Sequence, residues 1–296
     1  MTSIDEALPA MQELASRLWS PESRHHPGQL AWSARYALPE ELDHGPVELF
    51  RDRHGRVVGW AWVESPDWLE LCVDPGRPDV VDDAVAWFLD VGVGETLRTM
   101  VLEAEQHLLA GLAQAGFRLE DQPWFTHHHL DLARLADVPV VAGYRFRHVE
   151  PEEADRRAAC HRAAWSPPGG SSRVSTAAYR RLMATPPYRP DLDWVAVDAD
   201  GVMVASCLAW LDPRTGVALV EPVGCAPEHR GRGLAEAVSL AALHAARRSG
   251  GTTGLVCPRG DDGYPAPQRI YRRMGFEPGA RTLTLARPGG LGPDGS

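Results

Sequence analysis

The pattern of hydrophobic and polar positions repeats once along the chain. Residues 54–75 (HGRVVGWAWVESPDWLELCVDP) and 200–227 (DGVMVASCLAWLDPRTGVALVEPVGCAP) each contain a glycine turn, a β-rich run, a polar turn and a second run ending in proline. Apolar runs bounded by Gly and Pro are typical of strands. Gly55 and Gly201 suit hairpin turns because glycine accepts a positive φ. The pattern therefore predicts the same arrangement of strands in both halves.

The segments that follow these runs also correspond. Residues 79–92 (DVVDDAVAWFLDVG) and 233–251 (GLAEAVSLAALHAARRSGG) are helix-like, and in each half a further strand and helix end in Gly-Phe, at Gly116 and Gly275. A terminal strand then closes each half. We predict an α+β fold in which each half forms a mixed, mostly antiparallel sheet flanked by helices.

The division into domains follows from where the pattern is interrupted. A chain of 296 residues is long for one domain, and Pro139 stands before a new β-like run. We therefore place the first domain at residues 1–138 and the second at residues 139–288. Residues 289–296 have too little apolar content to pack, so we expect a disordered tail.

Composition narrows the classes of partner. A net charge of −10 argues against a nucleic-acid surface, and no apolar run approaches the roughly 20 residues that cross a membrane. The N-terminus lacks the features of a signal peptide, so we expect a cytoplasmic protein without nucleic-acid or membrane partners.

The five cysteines are scattered, which predicts free thiols. Residues 127–129 are three histidines that alternate faces on a predicted strand, so we expect no metal site.

An arginine- and glycine-rich loop follows the second repeat. Within residues 221–238 (EPVGCAPEHRGRGLAEAV), Pro222 cannot donate to a ladder and Gly224 favours a bulge, so the strand is expected to splay from its neighbour. Unpaired N–H groups at the start of the following helix favour anions, and glycine allows their close approach. Arginine donors suit phosphate. We expect a pyrophosphate there, with the rest of its molecule along the splayed strand.

Two motifs in this half carry a family resemblance. RGRGLA at residues 230–235 resembles the Q/R-x-x-G-x-G/A signature of the Gcn5-related N-acetyltransferase (GNAT) superfamily. PAPQRIYRRMGF at residues 265–276 resembles its closing helix, in which a tyrosine stands four residues before Gly-Phe. The duplicated layout is similar to the tandem-GNAT arrangement, in which only one half keeps the cofactor signature. The resemblance implies two GNAT-like domains, the first of them degenerate.

The resemblance implies acetyl-coenzyme A as co-substrate and no metal. The residues whose backbone amides would hold its pyrophosphate are Arg230, Gly231, Arg232, Gly233, Leu234 and Ala235. The positions that match the strand pairing with the pantetheine arm and polarising the thioester carbonyl are Val223, Gly224 and Cys225.

Two further positions match catalytic residues of the family. Tyr271 matches the tyrosine that supports or protonates the leaving thiolate. Glu221 matches a frequent carboxylate, is expected on the same strand face as Val223, and is our candidate general base. The stretch GDDGYPAP (residues 260–267) lacks the asparagine that many relatives place there, and Asp261, Asp262 or Tyr264 are candidates to replace it.

The first half lacks these features. After residues 68–75, Asp79, Asp82 and Asp83 stand where a phosphate would bind, and Leu112 occupies the position that corresponds to Tyr271. Like charges repel a pyrophosphate, so we expect no coenzyme A in this half. Scaffolding, a wall of the substrate pocket or dimer contacts are the roles left open for it.

The acceptor is less well defined by the sequence. Residues 164–194 fall where the variable helices of the family cover the acceptor site, which makes Trp165, Tyr188 and Trp210 candidate substrate contacts. We expect acetyl transfer to a primary amine of a small molecule by direct attack in a ternary complex. A protein or peptide N-acetyltransferase and a non-catalytic acyl-coenzyme A sensor are the alternatives. Either a monomer or a homodimer is expected.

Overall fold

The computed structural model describes residues 2–166, 172–263 and 265–289. Tyr264 and residues 290–296, most of the predicted disordered tail, lie outside the described residues.

Among its described residues, the first half contains four α-helices and six strands. Its helices are α1 (Ile4–Leu18), α2 (Pro27–Arg35), α3 (Asp79–Val91) and α4 (Gln106–Gln114). Its strands are β1 (Val47–Arg51), β2 (Val57–Ser65), β3 (Trp68–Val73), β4 (Thr96–Leu102), β5 (Arg118–Leu119) and β6 (Thr126–Asp131).

The second half follows a similar order. Its helices are α5 (Ala154–Trp165), α6 (Thr176–Met183), α7 (Leu234–Arg248) and α8 (Ala266–Arg273). Its strands are β7 (Arg145–His148), β8 (Asp193–Val197), β9 (Met203–Asp212), β10 (Val217–Cys225), β11 (Thr253–Val256) and β12 (Glu277–Pro288). Gly55 (φ +78°) and Gly201 (φ +81°) lie in the turns that join β1 to β2 and β8 to β9, as predicted.

The described strands form a single twelve-stranded sheet. Its order is β1-β2-β3-β4-β12-β6-β11-β10-β9-β8-β7, with β5 paired to β12. Two neighbouring pairs are parallel, β3 with β4 and β10 with β11, and the other pairs are antiparallel. The predicted α+β class with a mixed, mostly antiparallel sheet is confirmed.

The two halves exchange their terminal strands. β6 lies between β11 and β12, and β12 in turn pairs with β4 and β5 of the first half. Leu255 is opposite His129, and Leu283 is opposite Val101. The repeat predicted that each half ends in a strand but not that this strand completes the other half's sheet. The division at residue 138 stays a prediction, and the sheet is continuous across it.

Helices cover both faces of the sheet, and α2 joins the halves. In the first half α1 packs over Trp60 and Trp62 on one face, while α3 and α4 pack on the other. α2 extends onto the second half, where a Cβ at Gly28 would lie 2.1 Å from the Cβ of Trp210. Only glycine permits so close an approach. This contact fixes a first-half helix over β9, the neighbour of the strand that precedes the arginine-glycine loop.

Candidate active site

β10 and β11 separate beside the arginine-glycine loop. Their parallel pairing covers Val217–Leu219 against Thr253–Leu255 and then ends. β10 continues along β9 to Cys225, with a bulge between Val220 and Val223. Pro222 lies inside this bulge, where its missing N–H costs no ladder bond. The splayed strand predicted from the sequence is therefore present.

The loop after β10 leads into a helix start that has no side-chain cap. Gly231 (φ +77°) and Gly233 (φ +80°) take left-handed backbone conformations, and a Cβ on either would meet no atom within 4 Å. Gly233 is the N-cap of α7 and supplies no capping hydrogen bond. The first N–H groups of a helix without a cap attract anions. Open glycines next to such N–H groups form a cradle that fits a phosphate.

Two exposed arginines border this cradle. Arg230 donates from Nε to the Cys225 carbonyl (3.1 Å) and from Nη2 to the Ala164 carbonyl (3.2 Å). Arg232 donates from Nη1 to the Tyr144 hydroxyl (3.0 Å). Within the described ranges, neither guanidinium has a carboxylate within 4.0 Å. Their charge is therefore available to an anion.

The strand segment from Val223 to Cys225 has two differently packed faces. Val223 and Cys225 pack against the core cluster around α7. Gly224 faces α5, where an added Cβ would lie 2.6 Å from the Trp165 Nε1 and 2.7 Å from the Ala164 Cβ. Glycine is thus required for α5 to cover this strand, and it places the Trp165 indole beside the segment predicted to hold the thioester.

Glu221 lies on the opposite face from Val223. Val220 and Val223 both pack toward α7 because the bulge inserts Glu221 and Pro222 between them. The expectation that Glu221 and Val223 share a face is therefore wrong. The Glu221 backbone carbonyl accepts a hydrogen bond from the Trp210 Nε1 (2.6 Å). Burial raises the pKa of the Glu221 carboxyl to about 7, and the Arg24 guanidinium opposes that rise.

Arg24 is a first-half residue whose guanidinium, against the larger effect of burial, lowers the pKa of Glu221, and no motif in the sequence marks it. Its buried guanidinium forms two hydrogen bonds to Glu70, of which Nη2 to Oε1 is 2.9 Å. Glu70 also accepts from the Trp68 indole (2.8 Å). A buried ion pair persists only when its remaining polar atoms are satisfied. Burial and the Glu70 carboxylate also raise the pKa of Glu64 to about 7. The first half thus contributes a guanidinium, held by Glu70, that acts on the candidate base.

Tyr271 and the start of α7 belong to one cluster. Tyr271 is 8% exposed and packs with Leu234 and Val238, its ring centroid 5.7 Å from that of Phe276. The residues of the two predicted motifs are therefore brought together by the fold. Asp261, a candidate to replace the missing asparagine, accepts a hydrogen bond at Oδ1 from the Arg259 Nε (2.7 Å).

The three predicted substrate contacts have different surroundings. Trp165 is 51% exposed, whereas Trp210 is fully buried. The Tyr188 hydroxyl donates to Asp193 (3.2 Å) in a buried network. The structure therefore places Trp165 at the surface beside β10. The substrate-binding roles of all three residues stay predictions.

The first half contains a similar separation of strands beside a cavity of about 330 Å³ that His25, Cys72 and His107 help to line. We call this cleft closed in the sense that the carbonyls along its strand are already hydrogen-bonded. β3 and β4 pair only at Trp68 and Leu69 before they diverge. His25 donates from Nε2 to the Leu71 carbonyl (2.9 Å), and His107 donates from Nε2 to the Val73 carbonyl (3.0 Å). These imidazoles satisfy the strand edge that a pantetheine arm would otherwise contact.

Two other expected features concern metals and membranes. Among the described residues, no group of three or more His, Cys, Asp and Glu side chains is arranged to hold a metal ion. In the part of the chain that is described, no helix has the length and apolarity needed to span a membrane.

Comparisons with known proteins agree with this geometry. Residues 156–276 match the model of the acetyltransferase (GNAT) family. No curated protein matches the sequence. A tandem GNAT protein from the clavulanic acid biosynthesis pathway is 21% identical with a TM-score of 0.65, over 97% of this chain and 96% of that one.

Two further solved structures share the fold. A GCN5-related N-acetyltransferase from Sphaerobacter thermophilus is 18% identical with a TM-score of 0.61, over 99% of this chain and 96% of that one. A GNAT-family acetyltransferase from Colwellia psychrerythraea is 17% identical with a TM-score of 0.60, over 94% and 96%. At these identities the similarity establishes the fold, and it does so across both halves.

Proposed function

We propose that the chain is an N-acetyltransferase, because residues 156–276 match the model of the GNAT acetyltransferase family and the fold is similar to that of a tandem GNAT protein. It transfers the acetyl group of acetyl-coenzyme A to a primary amine of a small molecule. The observation that carries this proposal is the open cradle at the start of α7, with its two left-handed glycines and no side-chain cap. Its geometry and charge suit the pyrophosphate of coenzyme A.

The reaction needs a base for the amine and a proton for the leaving thiolate. An ammonium cannot attack a thioester until it loses a proton, and Glu221, with a pKa of about 7, is partly ionised at neutral pH. The amine nitrogen then forms a bond to the acetyl carbon while the carbon–sulfur bond breaks. Tyr271 supplies the proton that converts the thiolate to the free thiol of coenzyme A.

The surroundings of Glu221 favour a small acceptor over a protein. The strand that carries it is covered by α5 at Gly224, and α2 packs over Trp210 on the neighbouring strand. The Glu221 side chain is itself partly buried. A folded protein or an extended peptide would need an open groove at this carboxylate, whereas a small amine would not.

Thiol release is the test of this proposal. Acetyl-coenzyme A is mixed with the protein and a panel of primary amines, and free thiol is measured. We expect release with at least one amine. Tyr271→Phe should retain acetyl-coenzyme A affinity and thermal stability but lower kcat by about 10- to 100-fold.

The acyl-coenzyme A sensor is the alternative that this assay separates. A sensor would bind acetyl-coenzyme A in a calorimetric titration, release no thiol with any amine, and be unaffected in binding by Tyr271→Phe. That combination would contradict catalysis while leaving the cofactor site in place.

A further inference from the structure

A row of aromatic rings connects the two halves. Trp32 and Tyr36 of the first half stack at 6.2 Å between ring centroids, and Trp32 lies 5.4 Å from His161 of α5. His161 stacks on Trp165 at 6.2 Å, with an interplanar angle of 20°. We call Tyr36, Trp32, His161 and Trp165 the aromatic row. It runs from α2 to the strand position at Gly224.

The end of the row beside β10 is open. The Trp165 indole is half exposed, although its Nε1 lies close to Gly224 on the strand that we propose to hold the thioester. An exposed indole face, backed by a stacked ring, offers a flat apolar surface to a ligand. Such a surface beside the reacting atoms would contact the body of the acceptor.

His161 adds a polar atom within the row. It is 5% exposed, and its Nδ1 has no hydrogen-bond partner among the described residues. Burial lowers the pKa of the imidazole to about 3, so the ring is neutral. A buried nitrogen without a partner costs free energy. The neutral ring, between Trp32 and Trp165, backs the exposed indole without adding a charge.

Besides burial, the guanidiniums of Arg157 and Arg162 lower the pKa of His161 at the centre of the row, so a cation is favoured only toward the carboxyls of Glu64 and Glu221. Glu70 is paired with Arg24, but neither Glu64 nor Glu221 has a basic side chain within 4.0 Å in the described ranges. The guanidinium of Arg24 lowers the pKa of both carboxyls, which burial raises. The guanidinium of Arg173, which lies 5.1 Å from the centroid of the Tyr36 ring, lowers the pKa of Glu64 as well. A bound ammonium would supply the positive charge that these carboxylates lack.

Together these features define the chemistry of the acceptor. We propose that it is a primary amine carried on an aromatic ring, with the ring against Trp165 and the ammonium toward Glu221. This inference rests on the proposed function and makes it more specific. A polyhydroxylated amine such as an aminosugar would gain little here, because the row offers its hydroxyl groups few hydrogen-bonding atoms.

Calorimetric titration tests the preference without requiring turnover. Tryptamine, phenethylamine, n-butylamine and glucosamine are each titrated into the full chain with coenzyme A present. We expect the two aromatic amines to bind about tenfold more tightly than n-butylamine or glucosamine, as stacking on an exposed indole allows.

Variants then assign the preference to the row. Trp165→Ala should weaken tryptamine binding by about tenfold and leave n-butylamine unchanged, whereas Trp165→Phe should retain most of the affinity because a ring remains. Trp87→Ala is the control, because it removes a tryptophan from α3, on the face of the first-half sheet opposite α1. It should change the affinity for neither tryptamine nor n-butylamine. Equal affinity for all four amines, no measurable binding of tryptamine, or an equal loss for every amine in Trp165→Ala would overturn the inference.

A parallel titration with acetyl-coenzyme A separates the two proposals. If acetyl-coenzyme A binds but aromatic amines show no preference, the acceptor inference fails and the proposed function stands. If acetyl-coenzyme A does not bind at all, the proposed function fails and the inference fails with it.

Discussion

The two halves place a separated pair of parallel strands at the same point, but only one pair is open. In the first half, His25 and His107 donate to the carbonyls of β3, and α3 begins with Asp79, which is paired with Arg77. Neither α3 nor α7 has a side-chain cap, but in the second half β10 is followed by open glycines with positive φ. The same backbone framework therefore supports one anion cradle and one cleft whose strand carbonyls are already hydrogen-bonded.

This difference shows that a few side chains decide which half can bind a cofactor. The separation of strands comes from the fold, which both halves share. A carboxylate at the start of a helix competes for the N–H groups that an anion needs, and an imidazole on a strand carbonyl occupies a site of backbone pairing. The first half instead contributes Arg24, Glu70 and α2 to the surroundings of Glu221.

The largest effect is expected where the cradle is blocked. Gly233→Asp places a carboxylate where the pyrophosphate should bind, and we predict a loss of acetyl-coenzyme A affinity of roughly 100-fold or more in a calorimetric titration. Gly201→Asp is the matched control, because Gly201 has nearly the same φ (+81° against +80°) and the same open surroundings. The hairpin that contains Gly201 lies outside the cradle, so Gly201→Asp should bind acetyl-coenzyme A as tightly as wild type does. Equal losses in both variants would indicate backbone strain instead.

An intermediate effect is expected at Glu221, and it should depend on pH. The charged and titratable groups that act on this carboxyl are Arg24 and Cys257. Since its pKa is raised to about 7, the base form is lost as the pH falls below 7. The wild-type rate should rise through that pH. Glu221→Gln should lower kcat by about 10- to 100-fold and remove this rise.

A stability measurement checks the same carboxyl independently of activity. The folded-state pKa lies above the value of an exposed glutamate, so ionisation of Glu221 opposes folding. The free energy of unfolding of wild type should therefore decrease, relative to Glu221→Gln, as the pH rises from about 4.5 to above 7. A parallel pH dependence for the two proteins would contradict a buried, titrating Glu221.

The smallest effect is expected from single arginines at the two helix starts. Arg230→Ala should weaken acetyl-coenzyme A binding by about tenfold or less, with a smaller difference at high salt because the contact is exposed. Arg77→Ala, before α3, removes a guanidinium that Asp79 already holds. It should leave the affinity unchanged. A comparable loss in Arg77→Ala would contradict a closed first-half cleft.

Much of this comparison could be predicted from local sequence. The hairpin glycines, the splay at Pro222 and the uncapped start of α7 depend on backbone preferences of residues close together in the chain. Tyr271 was found through a motif whose spacing keeps it on α8. The face of Glu221 was predicted wrongly because a bulge shifts the alternation by one residue, and the sequence marks a bulge without giving its exact register.

The rest depends on contacts between distant parts of the chain. The repeat shows that each half ends in a strand, but β6 and β12 can pair with either sheet, and the choice is made by packing of the whole molecule. The position of Arg24 beside Glu221 has the same origin, since nothing around residue 24 signals a partner almost two hundred residues away. The aromatic row likewise combines α2 and α5 from separate halves.

The most direct test of the central claim is the number of acetyl-coenzyme A molecules that bind to each chain. A calorimetric titration of wild type should give a single site per chain, and Gly233→Asp should abolish it without revealing another. Two sites in wild type, or binding that survives in Gly233→Asp, would contradict the assignment of one open and one closed cleft.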